Sequence, residues 1–285
     1  MSDVTVYVAY HKNAPIVHSS IYRPIHVGKA LSVSDIEGTI GDNTGENIST
    51  KNPLYCEMTA AYWAWKNDKD SRYIGLCHYR RLSCARKPNI FRKLKLRLNC
   101  LKEKLRGFIR PGSGNSICDL VSNPSAERFE ELRKDFERNI EKWTASGRVA
   151  AFGVKPVCFA SRSVKMRFDI LGEYHTQVIE DILEQKYPQM LDDYKKVMLS
   201  DRMSYANMSI MRRDVFDRYC SMMFDVLGAY ESRVLQDRWC SDLYVDRCFS
   251  RLPGYMAELL TATFLEHLKR SNESVKELTV VTYGV

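Results

Sequence analysis

The sequence predicts an α/β fold built on a mixed sheet. Three observations carry that prediction: β-branched and aromatic runs such as VTVYVAY and TVVTYG alternate with segments of helical apolar spacing, Gly and Pro punctuate the boundaries, and no internal repeat is present. With 285 residues and 45% hydrophobic composition the chain has enough apolar material for one large core, and it reads as a single domain over 1–285.

VTVYVAY (Val4 to Tyr10) suits a buried strand, and HKNAP after it is a polar loop. A first strand that delivers its end to such a loop is how open α/β sheets place ligands. YRPIHVGKAL follows, broken by Pro24 and Gly28. Gly41 to Asn52 has turn chemistry, after which Asn52 and Pro53 form an N-cap and first position for a helix through Lys66. On that helix Leu54, Met58, Ala61 and Trp65 share a core face, while Tyr55, Thr59, Tyr62 and Lys66 share a polar, aromatic one.

A DKDS turn then leads into RYIGLCHYRR, a strand that empties into His78, Tyr79, Arg80 and Arg81. From Asn89 to Arg110 the residues Phe91, Leu94, Leu98, Leu101, Leu105 and Phe108 recur at intervals of 3, 4, 3, 4 and 3, which predicts a helix that PGSG stops. Helices are expected over 126–145 and over Glu173 to Leu199 with a break at Pro188, with GRVAAFGVKPVCFA between them as strand and turn. Tyr205 to Met211 reads as a strand before a helix from Asp214, and a last apolar helix, Tyr255 to Leu268, precedes TVVTYG as the final strand.

Charge and cysteine usage narrow the class. The net charge is +8, yet residues 86–110 hold ten Lys/Arg against one Glu, so the basicity belongs to one segment. Nine cysteines without a C-x-x-C pair argue against a disulfide framework or a structural zinc site, and the thiols are expected to be reduced. There is no long apolar run and no secretory signal pattern, so the expectation is a cytosolic protein.

No Walker loop, G-x-G-x-x-G, H-E-x-x-H or G-x-S-x-G occurs, and no D-x-D follows a strand. Less common clusters must carry the chemistry. Asp42, Asn43, Thr44, Glu46 and Asn47 lie in a glycine-punctuated loop that can grip sugar hydroxyls or simply cap a surface turn. Arg80 and Arg81 at a strand end suit a diphosphate, or equally two surface ion pairs. Tyr205, Asn207 and Ser209 point to one strand face by the period of two, which makes Asn207 a candidate for a sugar hydroxyl or a strand-edge cap. Glu258, among apolar residues in GYMAELL, is either a paired structural carboxylate or a base of raised pKa.

GDNTGENIS, KNPLYCEMTAAYWAWKN, YIGLCHYRR, YANMSIMRRDVFDRYC and the closing G-Y-x-A-E-L-L, with Arg247 upstream, resemble a bacterial glycosyltransferase family. It is the family of capsule, exopolysaccharide and O-antigen loci that was long labelled a domain of unknown function and later assigned galactofuranosyl transfer. The resemblance is specific through residues 1–81 and 148–268, and 86–147 stands out as a helical insertion carrying the basic amphipathic helix. It implies a GT-A-like mixed sheet flanked by helices, a UDP-sugar donor, UDP-galactofuranose first, and a lipid-linked glycan acceptor.

The expected reaction is an inverting hexosyl transfer without a metal. Glu258 is the first choice of base, Asp42 the second and Asp201 the third. The donor is expected against His11, Asn43, Thr44, Glu46, Asn47, Lys51, Asn52, Tyr55, Glu57, Thr59, Tyr62, Lys66 and Asn207, with His78, Arg80 and Arg81 serving the leaving group. The helix over 89–110 is expected to meet an anionic membrane at the inner face of the cell membrane, nucleic acid is not expected, and a homo-oligomer is left open. The competing readings are transfer of a pyranose from the same donor type and a non-catalytic membrane or nucleic-acid binding protein built on the basic helix.

Overall fold

The structure, a computed structural model, describes residues 3–85, 90–109, 116–159, 162–236 and 251–284. Its centre is a mixed sheet, one half of which is parallel. Strands β1 (Val4–Tyr10), β2 (Tyr22–His26), β3 (Ile40–Gly41) and β4 (Tyr73–His78) run in the order β4-β1-β2-β3, all parallel. Every residue of β1 is buried, as a β-branched run between two covered faces should be. Pro24 lies inside β2, opposite Val8, where β3 does not reach, so its missing N–H breaks no ladder bond on the outer edge.

The other half is antiparallel and mixed. β5 (Arg81–Cys84), β7 (Leu120–Ser122), β8 (Val149–Val154), β11 (Ser209–Arg212) and β12 (Ser274–Thr282) complete nine strands, and β11 returns to pair with β4. The HYRR segment is a tight hairpin from β4 into β5, paired at His78 and Arg81. Three short strands, β6 (Ser116–Ile117), β9 (Val157–Phe159) and β10 (Arg202–Met203), make a small second sheet.

Helices cover both faces of the large sheet. On one side α2 (Met58–Asn67), α6 (Glu173–Lys186), α7 (Leu191–Leu199), α8 (Arg213–Gln236) and the last helix, α9 (Leu252–Arg270), pack over Tyr7, Ala9, Ile74 and Leu76. On the other side α4 (Ala126–Thr144) buries Phe129, Leu132, Phe136 and Ile140 against Val6, Val8, Tyr22 and Tyr73. The segment expected as a helical insertion is therefore woven into the fold, because α4 covers a sheet face and β7 pairs with β12.

The helix α3 (Ile90–Ile109) differs: among its residues Cys100 and Gly107 are the buried ones. Cys100 is joined to Cys158 of β9 in a disulfide, a correction to the expectation of reduced cysteines. The small sheet brings the two cysteines together from 58 residues apart, a proximity that spacing cannot reveal. Cys56, Cys77, Cys84, Cys118 and Cys220 remain thiols.

Two local departures from the sequence expectation matter for the site. The helix expected over 52–66 breaks into α1 (Asn52–Tyr55) and α2, because Cys56 takes a φ of 52°. The strand expected over 205–211 begins only at Ser209, since Ala206 (φ 66°) and Asn207 (φ 51°) form a left-handed turn. The period-of-two alignment of Tyr205, Asn207 and Ser209 is thus not realised.

Candidate active site

The carboxyl ends of β1, β2 and β4 open into one cleft of about 480 Å³. Crevices of this kind, outside the carboxyl ends of parallel strands, are where open α/β sheets bind ligands. Ala9 and His11 line it from the end of β1, Val27 from β2, and His78, Tyr79, Arg80 and Arg81 from the β4–β5 hairpin. Asn52, Pro53, Cys56 and Glu57 close it from the break between α1 and α2, and Arg251 from the residue before α9.

The cleft is cationic on the hairpin side. Burial first, and then the charges of Lys12, Arg80, Arg251 and His78, hold His11 below the ordinary imidazole value. Two aromatic contacts fix the geometry: the His11 ring meets Tyr79 edge-on at 5.4 Å, and the Arg80 guanidinium lies over Tyr79 at 5.1 Å. Arg251 donates through Nε to Cys56 Sγ at 3.2 Å. Several guanidinium groups facing one space form a site for an anion with many oxygens.

A carboxylate pair completes the site, Glu57 in the cleft wall and Glu258 beside it. Glu258, on the first turns of α9, has its pKa raised to about 7, chiefly by burial and then by the charge of Glu57, against relief from the Ala206 N–H, Arg81 and Arg167. Glu57 sits at the helix break, with its side chain mostly enclosed, and accepts from Asn207 Nδ2 at 2.8 Å. His78 Nε2 lies 3.6 Å from Glu57 Oε1 and 2.9 Å from the Ala206 carbonyl.

The left-handed turn at Ala206 and Asn207 is the hub of this arrangement. Its backbone addresses Glu258 and His78, and its side-chain amide holds Glu57. Asn207 also donates to the Gly254 carbonyl at 3.3 Å and accepts from Thr261 Oγ1 at 3.2 Å, which in turn meets Tyr219 OH at 2.8 Å. Gly254 is required by close approach, since a Cβ there would stand 3.0 Å from Cys56 Sγ.

The cleft therefore brings together His11, Asn52, Glu57, His78, Arg80 and Arg81 of the expected set, with Glu258 and Asn207 beside it. It leaves others out. Asp42 is fully buried and accepts from Gly28 N at 2.9 Å, Lys29 N at 3.0 Å, Thr59 Oγ1 at 2.6 Å and Ser49 Oγ. With four donors around two oxygens it organises the loops after β2 and β3 and has no access to an acceptor hydroxyl. Gly28 supplies its N–H from a φ of 70°, a conformation that favours glycine.

Asp201 is also placed elsewhere, beside the small sheet and paired with Lys104 of α3. The polar loop binds its own helix: Tyr62 OH donates to Glu46 at 2.9 Å, Lys66 pairs with Glu46 at 3.1 Å, and Trp63 Nε1 donates to the Thr44 carbonyl at 2.9 Å. Asn47 caps Ser49 N at 3.2 Å, and Asn43 is exposed. Lys51 and Tyr55 both reach Glu231, at 2.7 and 2.8 Å. Asn43, Thr44, Glu46, Asn47, Lys51, Tyr55, Thr59, Tyr62 and Lys66 are thus not among the residues lining the cleft.

Arg251, Cys56 and Tyr79 are lining residues that sequence reasoning did not single out. Tyr79 stood inside the HYRR cluster, and Arg251 immediately before the Pro253-Gly254 helix start; that position was the available signal. Among the described residues no group of three or more His, Cys, Asp or Glu is placed to hold a metal ion.

Residues 5–270 match the family described as a domain of unknown function, DUF4422. The chain belongs to that family. This DUF4422 chain is also similar to a solved structure described as the apo form of the bifunctional glycosyltransferase WbbM, at 26% identity with a TM-score of 0.76. The similarity covers 99% of this chain and 45% of that one, so this chain spans less than half of the bifunctional protein's length. No curated protein matches it. The family and the neighbour agree with the resemblance carried by the sequence motifs.

Proposed function

We propose that this protein is a glycosyltransferase that moves a hexose from a UDP-sugar to a hydroxyl of a lipid-linked bacterial surface glycan. Galactofuranose is the first choice of sugar, by the motif resemblance, and the architecture is of the GT-A-like kind. The observation that carries the reading is the cleft itself, whose guanidinium groups have a carboxylate with a pKa of about 7 beside them. Its support is the similarity to a bifunctional glycosyltransferase over nearly the whole chain.

The chemistry follows from those two sides. An acceptor hydroxyl attacks the anomeric carbon, the new C–O bond forms as the bond to the diphosphate oxygen breaks, and the hydroxyl proton passes to Glu258. Arg80, Arg81 and Arg251 neutralise the charge that collects on the departing diphosphate. A single displacement with the base and the leaving group on opposite sides inverts the anomeric configuration. A carboxylate poised near neutral pH suits the base because it is ionised often enough to act and basic enough to accept the proton.

Transfer of a pyranose from the same donor class uses the same groups and is the second reading. Incubating the protein with a panel of UDP-sugars and a synthetic lipid-linked galactoside, read by mass spectrometry, tests both. Addition of one hexose from UDP-galactofuranose supports the first reading, addition from a UDP-pyranose alone supports the second, and no transfer from any UDP-sugar overturns both.

A further inference from the structure

No described helix is long and apolar enough to cross a membrane. The helix α3 nevertheless carries a face unlike any other among the described residues. Phe91 and Phe108 are 79% and 86% exposed, and Leu94, Leu98, Leu101 and Leu105 are each 55 to 56% exposed. The stripe that spacing predicts is therefore turned outward and is not packed on the core.

The outward orientation is built in, because the opposite side of the helix is tied to the body. Arg92 donates to Asp119 at 2.9 Å and to the Leu120 carbonyl at 3.0 Å, Cys100 is bonded to Cys158, and Lys104 pairs with Asp201. Projected at 3.6 residues per turn, the six apolar residues fill an arc of about 100°. Lys95, Lys102 and Arg106 border it on one flank, and Lys93 and Arg97 on the other. Lys93, Lys95, Arg97 and Lys102 have no ion-pair partner among the described residues.

We propose that this face of α3 docks the protein on an anionic lipid surface. A helix lying in a bilayer interface buries one apolar stripe below the headgroups and keeps cations on both sides at headgroup level. That two-flank arrangement is what α3 presents. The cations are attracted by the surface potential of anionic lipid, and the leucine and phenylalanine side chains add apolar burial once the helix is in contact. Nucleic acid fits this face poorly, since phosphates would meet a central strip of leucines where a binding groove needs its charge. A second copy of the chain fits poorly as well, because two such faces would oppose cations to cations.

Co-sedimentation with lipid vesicles tests the proposal on the whole chain. The protein should sediment with vesicles containing phosphatidylglycerol at low salt, sediment far less at high salt, and stay in solution with phosphatidylcholine alone. The variant Leu98→Glu/Leu101→Glu/Leu105→Glu should bind roughly tenfold more weakly or worse, as should Lys95→Glu/Lys102→Glu. Both variants change exposed side chains, so their thermal unfolding should match the parent. Absence of binding to anionic vesicles overturns the proposal, as does unchanged binding by either variant. An apolar-face variant that changes the oligomeric state in size-exclusion chromatography, in a protein that ignores vesicles, assigns the face to a second copy instead.

Discussion

Asn207 donates its side-chain amide to Glu57 Oε1 at 2.8 Å, joining two positions 150 residues apart. Both ends of that bond sit at strained backbone: Asn207 at a φ of 51°, and Glu57 directly after Cys56 at 52°. Cys56 is held by Asn52, whose Nδ2 donates to its carbonyl at 2.7 Å. Backbone strain of this kind persists where the surroundings over-determine it, and here it aims one carboxylate at the cleft and positions a second.

Replacing Asn207 tests how much the fold depends on this link. Asn207 is buried and tolerates the left-handed conformation better than most residues. Asn207→Ala removes the donor to Glu57 and to the Gly254 carbonyl, and should destabilise the protein by about 2 kcal/mol in urea unfolding. A change below about 0.5 kcal/mol, the ordinary range for surface sites, would contradict the hub assignment.

Asp42 should behave as a structural residue. Asp42→Ala strips the acceptor from two backbone N–H groups and two hydroxyls, and should cost about 3 kcal/mol or more in stability. A variant as stable as the parent but slow in turnover would return Asp42 to the list of bases.

The arginines should act on the leaving group. Arg80→Ala and Arg81→Ala should each reduce kcat/KM by an amount equivalent to about 2 to 4 kcal/mol, with the fold intact, as loss of a preorganised charge contact does. In the proposed mechanism the chain's own cations supply this stabilisation, so activity should survive EDTA. Complete loss in chelator with rescue by manganese would show that a metal carries the diphosphate charge.

The pH dependence of kcat/KM should show Glu258 directly. Its pKa of about 7 lies above the ordinary carboxylate value, so the folded protein takes up this proton more readily than the unfolded chain does. The stability it contributes is full below the unfolded value and is lost as pH rises through about 7, while the ionised form, the active one in the proposed mechanism, appears over that same rise. Activity should therefore climb with pH to a plateau, with a midpoint near 7. Glu57→Gln removes the neighbouring charge and should move that midpoint to lower pH. A midpoint that stays in place shows that Glu57 does not tune the base.

Much of this was legible in the sequence for a common reason: periodicity reports burial. The all-buried run of β1, the 3-4 spacing of α3 and the amphipathic α4 are local patterns, and each forms where its pattern predicts. Glu258 was legible because a carboxylate among apolar residues is conspicuous. What escaped depends on contacts distant in sequence. The break at Cys56 is stabilised by Asn52 and by the close approach of Gly254, and the turn at Ala206 by Glu57, Gly254 and Glu258, so local propensity pointed to a continuous helix and a longer strand. The loop from Asn43 to Asn47 misled for a chemical reason. Amides, hydroxyls and a carboxylate that can hold a sugar can equally hold Trp63, Tyr62 and Lys66.

The central claim is that Glu258 is the base of a sugar transfer in this cleft, and Glu258→Gln tests it most directly. The substitution keeps the shape of the side chain and removes its charge, so UDP-sugar binding measured by calorimetry should remain within a few-fold of the parent. Turnover with the lipid-linked acceptor should fall by about 10²-fold or more, the usual size of a general-base contribution. Turnover near the parental rate with the same donor affinity would contradict the account and leave Glu258 a structural carboxylate.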